Sequence, residues 1–367
     1  MNMFVPLQKA YNQEHLTARE AQHKAEFIAF GPIVFQVARL MIKFGILDRL
    51  NNSSEGMTRE EIAHEAHLSD YAAQVLTEAS LTIGIILVDT DTARFTLSKT
   101  GWFLLNDAMT RVNLDFNHDV NYEGWFHLEE ALTKGKPAGL SHFGTWNTVY
   151  EGLSQLPEQV QKSWFAFDHY YSDHSFPEAL KIVFGHQSTR TLLDVGGNTG
   201  RWAMRCVEYD AHVQVTIMDL PQQLALMQQQ TGSKTGAERI GAYPIDLLND
   251  SAPFPTSPTF DAIWMSQFLD CFGEAEIVSI LSRAARIMTP DTRLYIMETF
   301  WDRQRFDTAA FCLTQISLYF TAIANGNSKM YHSDDMRRLV EAAGLTVETI
   351  HDGLGQGHSI MVCRTLQ

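Results

Sequence analysis

The chain has 367 residues, 45% hydrophobic and 19% charged, which predicts two or three domains with cores that need no disulfide or metal staple and excludes wholesale disorder. Its 28 Lys and Arg against 43 Asp and Glu leave a formal net charge of −15. That balance argues against nucleic acid as a partner, because neutralising phosphates takes clustered positive charge. Cys206, Cys271, Cys312 and Cys363 show no CxxC or zinc spacing, so no metal site is expected. The opening MNMFVPLQKAYNQEH lacks a basic region followed by an apolar one. No signal peptide is expected, and a reducing, cytoplasmic location is.

In chain order the sequence divides into residues 1–105, 106–185 and 186–367. The most apolar stretch, FIAFGPIVFQVARLMIKFGIL over 27–47, is interrupted by Gly31, Pro32, Gln36, Arg39 and Lys43. It is expected as a helix buried in a core or subunit interface, not as a membrane span. Thr58 and Glu61 make a capping box that starts a short helix near Met57. Ser69 caps a second helix running to about Gly84. Two apolar runs, Ile85–Val88 and Phe95–Leu97, flank the turn-rich DTDTAR and predict a β-hairpin. Helices followed by such a wing are the signature of a winged helix. Residues 106–185 read as helical and aromatic. From there TLLDV, VQVTIMD, DAIWMSQ and RLYIMET alternate with helical segments, which predicts a parallel α/β sheet. LTVETI and SIMVCRT, joined by HDGLGQGH, predict an antiparallel hairpin at its edge.

TLLDV runs into Gly196-Gly197-Asn198-Thr199-Gly200 and then a helical pattern. Such a turn lets backbone N–H groups approach a ligand closely. The next strand ends in Asp219, placed to accept hydrogen bonds from both hydroxyls of a ribose. From Gly196, Asn198 and Arg201 break the dinucleotide G-x-G-x-x-G pattern, and no Gly-Lys-Ser/Thr follows for a nucleoside triphosphate. Asp194-x-Gly196-x-Asn198-x-Gly200 fits the spacing of S-adenosylmethionine enzymes, with one glycine replaced by Asn, the residue that after glycine best tolerates a left-handed backbone.

On these residues the chain resembles the small-molecule O-methyltransferases of the plant phenylpropanoid and bacterial polyketide type, from about residue 26 onward. The resemblance implies an N-terminal, mostly helical winged-helix dimerisation domain and a class I methyltransferase domain, a Rossmann-like parallel sheet with one antiparallel edge strand. It implies a homodimer, S-adenosyl-L-methionine as cofactor and a small, aromatic, hydroxyl-bearing substrate. Asp219-Leu220-Pro221 is similar to the family's ribose-holding D-L-P. Ser172 lies in a segment similar to one that enters the cofactor pocket, and Tyr171 stands where a substrate-contacting Met is common. Asp246-Leu247 resembles the adenine-contacting pair. Gly196 and Gly197 complete the implied cofactor set.

The family's K-H-x-L-H-D-W run reads here Ser266-Gln267-Phe268-Leu269-Asp270-Cys271-Phe272. Ser266 replaces the Lys, Phe272 the adenine-packing Trp, and Asp270 the catalytic His. Glu298 is similar to an acid that orients the base, while Met330 stands at the second such acid. A phenol, with a pKa near ~10, benefits from a base by roughly 10²–10⁴ in rate. Asp270 would serve only with its pKa raised by burial or by Glu298. Its alternative role is to cap the helical GEAEIVSILSRAARIM that follows. Trp125, Phe167, Tyr170, Tyr171, Tyr319 and Phe320 are candidates to line a flat apolar substrate cavity, against plain core packing. His118, His127, His174 and His332 are further candidates, although a lone His is more often structural.

Two other functions compete. Asp270 and Met330 allow a cofactor-binding homologue with lost or altered catalysis. The winged helix allows a transcription regulator, but its recognition segment SDYAAQVLTEASLTI has no Lys or Arg for phosphate and guanine.

Overall fold

The computed structural model describes residues 3–366, apart from the side chain of Ser172. The chain forms two compact units, one of residues 14–119 and the other of 1–13 with 120–367.

In the first unit the Thr58–Glu61 capping box starts the helix Arg59–Glu65, and Ser69 caps Asp70–Thr82 through the Ala72 amide. β1 (Ile86–Asp89) pairs antiparallel with β2 (Arg94–Leu97) to form the wing. Met41, Leu47, Ile62 and Ile86 lie in its core. The apolar stretch is not one helix. Ala18–Ala29 and Gly31–Lys43 meet at 71°, and Gly45 opens a third helix, Ile46–Asn52. Pro32 stands in the first turn of the second helix, where its missing N–H costs nothing but cannot continue the first. Among the described residues no single helix is long and apolar enough to cross a membrane.

The second unit is built on a seven-stranded sheet. Its strands are β3 (Thr191–Val195), β4 (Gln214–Asp219), β5 (Ile240–Pro244), β6 (Ala262–Ser266), β7 (Arg293–Glu298), β8 (Leu345–Leu354) and β9 (His358–Thr365), in the order 5-4-3-6-7-9-8. β3 to β7 are parallel. β9 runs against β7 and forms the edge hairpin with β8.

Both faces are covered, which is why the central strands read as unbroken apolar runs. Leu193, Ile263, Met265 and Ile296 pack with helices Glu274–Ile287 and Ser333–Ala342. Leu192, Trp264 and Met297 pack on the other side with Phe176–His186, Arg201–Tyr209 and Pro221–Thr231. The Trp202 and Trp264 rings stack there at 4.1 Å. Strand order reverses between β3 and its neighbours β4 and β6, and the crevice at the carboxyl ends beside such a reversal is where open α/β sheets hold ligands.

Candidate active site

The carboxyl ends of β3, β4, β6 and β7 bring the Gly196 loop, Asp219, Ser266 and Glu298 to one edge. Gly196 has a φ of 72°, and a Cβ there would meet the Phe268 ring at 2.2 Å, so only glycine fits. Gly200 is also left-handed, at 77°, with a prospective Cβ 2.8 Å from Met227, which lets helix Arg201–Tyr209 start close to its neighbour. Asn198 takes the left-handed conformation its position predicted, with φ 47°. Gly197 faces the sheet, its prospective Cβ 2.7 Å from Asp194 Oδ2.

Asp219 is clamped by the loop it serves. The Asn198 amide donates to its Oδ2 at 2.9 Å and the Leu220 amide to its Oδ1 at 2.7 Å. Each oxygen keeps a further lone pair, so the residues fit a ribose diol. Burial raises the Asp219 carboxyl above the usual range while the two amides pull it back. Asp194 beneath is pushed up to about 8 by burial and by Asp219.

Asp246 is exposed and accepts from the Leu248 amide, whereas the Leu247 side chain lies in the core. Ser266 closes β6 and is half-buried. The Phe272 ring meets Phe268 edge to face at 4.9 Å. Phe268, against Gly196, stood only at the unspecified position of the Ser266–Phe272 run. Ser172 falls outside the described side chains.

Asp270 lies in the turn Leu269–Cys271 and is 4% exposed. It does not cap the following helix. Gly273 holds that position, and its amide donates to Glu276 at 2.7 Å. Glu298, at the end of β7, accepts from the amides of Phe268 at 3.1 Å and Leu269 at 2.9 Å, and so holds the turn that carries Asp270. Burial pushes the Asp270 carboxyl up to about 7. The charge of the Asp168 carboxylate adds to this. Glu298 is itself driven well above the carboxylate range, by burial and then by Asp270. Asp270 therefore titrates near neutral pH.

Phe167, Tyr170, Tyr171 and Tyr319 lie on two helices, with Phe320 just past the second and Trp125 in the separate turn Gly124–His127. Phe167 and Tyr171 lie on Glu158–Asp173 with ring centres 5.0 Å apart. Tyr319 and Phe320 are buried at the end of Asp307–Tyr319. The Trp164 indole donates to the Tyr319 hydroxyl at 2.7 Å and joins the two helices. Met330 is buried, with its sulfur 3.6 Å from the Thr299 hydroxyl. The four histidines have other neighbours. His332 caps Ser333–Ala342 through the Asp334 amide, and His174 bonds the Tyr170 carbonyl. His118 pairs with Asp119, and His127 lies 3.8 Å from Glu130. Sequence reading missed Trp164 and Asp168, although with Tyr171 they fall at i, i+4 and i+7, the spacing of one helix face.

A model of the O-methyltransferase domain matches residues 125–346, and one of the dimerisation2-like domain matches 22–95. The chain belongs to the O-methyltransferase family. This methyltransferase uses S-adenosylmethionine. It is 22% identical to the L-tyrosine C(3)-methyltransferase of Streptomyces lavendulae over 88% of this chain and 86% of that one. Among solved structures, the S-adenosylmethionine-dependent methyltransferase SibL superposes with a TM-score of 0.68 at 21% identity, over 93% of this chain and 98% of that one. The mitomycin 7-O-methyltransferase MmcR gives 0.68 at 18%, over 94% and 98%. At these identities the superpositions speak for the fold alone.

Proposed function

We propose that the enzyme methylates the hydroxyl of a small aromatic molecule with Asp270 as general base. The observation that carries this is the Asp270 carboxyl, buried at the carboxyl edge and held near neutrality by its surroundings. A base is most useful when its pKa lies near the working pH. Asp219 binds the ribose hydroxyls, with Gly196, Gly197 and Leu220 shaping the cradle around it. Ser172, Asp246, Leu247, Ser266 and Phe272 complete the cofactor side. Leu247 acts through its backbone, because its side chain is core. S-adenosylmethionine supplies an electrophilic methyl on a sulfonium.

Asp270 takes the proton from the acceptor hydroxyl onto a carboxylate oxygen. Glu298 keeps the turn in place, and Phe167, Tyr171, Tyr319 and Phe320 exclude water and hold the ring flat. The dimerisation domain supports a homodimer, and the four free thiols fit a reducing cytoplasm.

Single-turnover methyl transfer to a panel of phenols tests the reading. Wild type should turn over, and Asp270→Asn should be slower by at least ~10² at matched cofactor saturation. Equal rates would remove Asp270 from the mechanism. Because one relative is a tyrosine C(3)-methyltransferase, product analysis should establish that the methyl is on oxygen.

A further inference from the structure

Asp168 carries a carboxylate to which methyl transfer assigns no task. It stands four residues after Trp164 and three before Tyr171 on helix Glu158–Asp173, so the three share one face. Trp164 and Tyr171 are buried, and the Trp164–Tyr319 hydrogen bond sets that face against Tyr319, one of the rings proposed to hold the acceptor. The Asp168 side chain keeps 27% of its surface accessible, and its carboxyl makes no hydrogen bond to a described residue. The His169 imidazole is 3.9 Å away but stays neutral, since burial and Arg201 push it down to about 4. The nearby guanidinium, Arg201, is engaged by Asp173.

The charge of Asp168 bears on Asp270, and Glu298 holds the turn that carries Asp270. Asp270, 4% exposed, accepts from the Cys271 thiol at 3.5 Å. Glu298, 3% exposed, has an Oε2 without a hydrogen-bond partner among the described residues. A site formed by these rings with the Asp168 and Asp270 carboxylates would repel an anionic acceptor. It attracts an ammonium through ion pairing in a weakly screening medium and through the ring faces.

We propose that Asp168 selects the acceptor by pairing with an ammonium group on an aromatic substrate whose hydroxyl lies toward Asp270. This rests on the reading that the site takes a phenol. The probes are tyramine, 4-ethylphenol and 3-(4-hydroxyphenyl)propionate, three phenols of similar size with positive, neutral and negative tails. Each is titrated calorimetrically at pH 8 into protein saturated with S-adenosylhomocysteine. Tyramine should bind at least tenfold tighter than 4-ethylphenol, and the propionate more weakly than either. Asp168→Asn should erase the tyramine advantage, and Asp168→Glu should restore part of it. The heat of S-adenosylhomocysteine binding reports that each variant is folded. In turnover the loss should fall on KM rather than kcat. A flat or reversed order in wild type, or an unchanged preference in a folded Asp168→Asn, overturns the proposal. If that variant fails to fold, the wild-type order decides alone. Tyramine binding without turnover of any probe would sink methyl transfer to phenols and keep the amine site. Turnover of 4-ethylphenol without cation preference would do the reverse.

Discussion

Asp270 shows how one side chain's surroundings set its chemistry. An unperturbed Asp near ~3.9 is a poor base for a phenol, but burial brings this one to about 7. The base must be deprotonated to act, so kcat/KM should rise with pH through an apparent pKa near 7 and level off above it. The same shift has a thermodynamic cost. The folded state holds a proton that the unfolded chain has already released above ~3.9, so this group's contribution to stability falls as pH rises through that window and is lowest above 7. Asp270→Asn should therefore raise the melting temperature at pH 8 and change it little at pH 4. The expected gain in stability at pH 8 is roughly 2–4 kcal/mol. Thermal unfolding at the two pH values checks it, and destabilisation at pH 8 would mean the carboxylate is better solvated than its burial implies. At Asp219, loss of the carboxylate should weaken S-adenosylhomocysteine by about 1–3 kcal/mol, the range for a charge-assisted hydrogen bond. Calorimetry on Asp219→Ala decides, and equal affinity would place the ribose elsewhere.

At the scale of elements, the site depends on loops that leave a rigid sheet at one edge. The β3 loop has a left-handed glycine pressed on Phe268, and the β6 turn is held by Glu298 from β7. Gly196→Ala would need both an unfavourable φ and a displaced ring. It should lower cofactor affinity at least ~10-fold while leaving the circular dichroism of the helices intact, since an unpaired strain of about 1–3 kcal/mol falls on the loop alone. Calorimetry with S-adenosylhomocysteine and a far-ultraviolet spectrum of the same sample test it. Wild-type affinity in Gly196→Ala would show that the loop is free to shift.

At the scale of the whole molecule, the prediction concerns assembly. Ile28, Phe30 and Ile33 are 68, 61 and 56% exposed in the described chain, at the bend between two helices. Apolar side chains clustered in this way mark interfaces. The homodimer should bury more than ~2,000 Å² in total. Light scattering should give twice the chain mass for wild type at micromolar concentration, and Ile28→Asp with Phe30→Asp should shift the population toward the monomer. A monodisperse wild-type monomer would refute the dimer. DNA retardation at physiological salt should be absent, because Asp70–Thr82 presents no basic side chain.

Local chemistry was legible in the sequence by itself. The Thr58 and Ser69 caps, the wing, the left-handed Asn198 and the alternation of strands with helices all follow from spacings of a few residues, where propensity and hydrogen-bond geometry act directly. The placing of Asp219 beside the Gly196 loop was legible too, because strand, turn, helix and acid fall within one βαβ unit. Only the tertiary structure decided the rest. The capping role open to Asp270 went to Gly273, three residues on, because the chain makes an extra turn that Glu298 holds from another strand. Asp168 reaches the site from a helix about a hundred residues before Asp270, and no local pattern links the two. Burial, which moves both carboxyls toward neutrality, depends on which distant side chains exclude water. It comes into being only when the helices close over the carboxyl edge of the sheet.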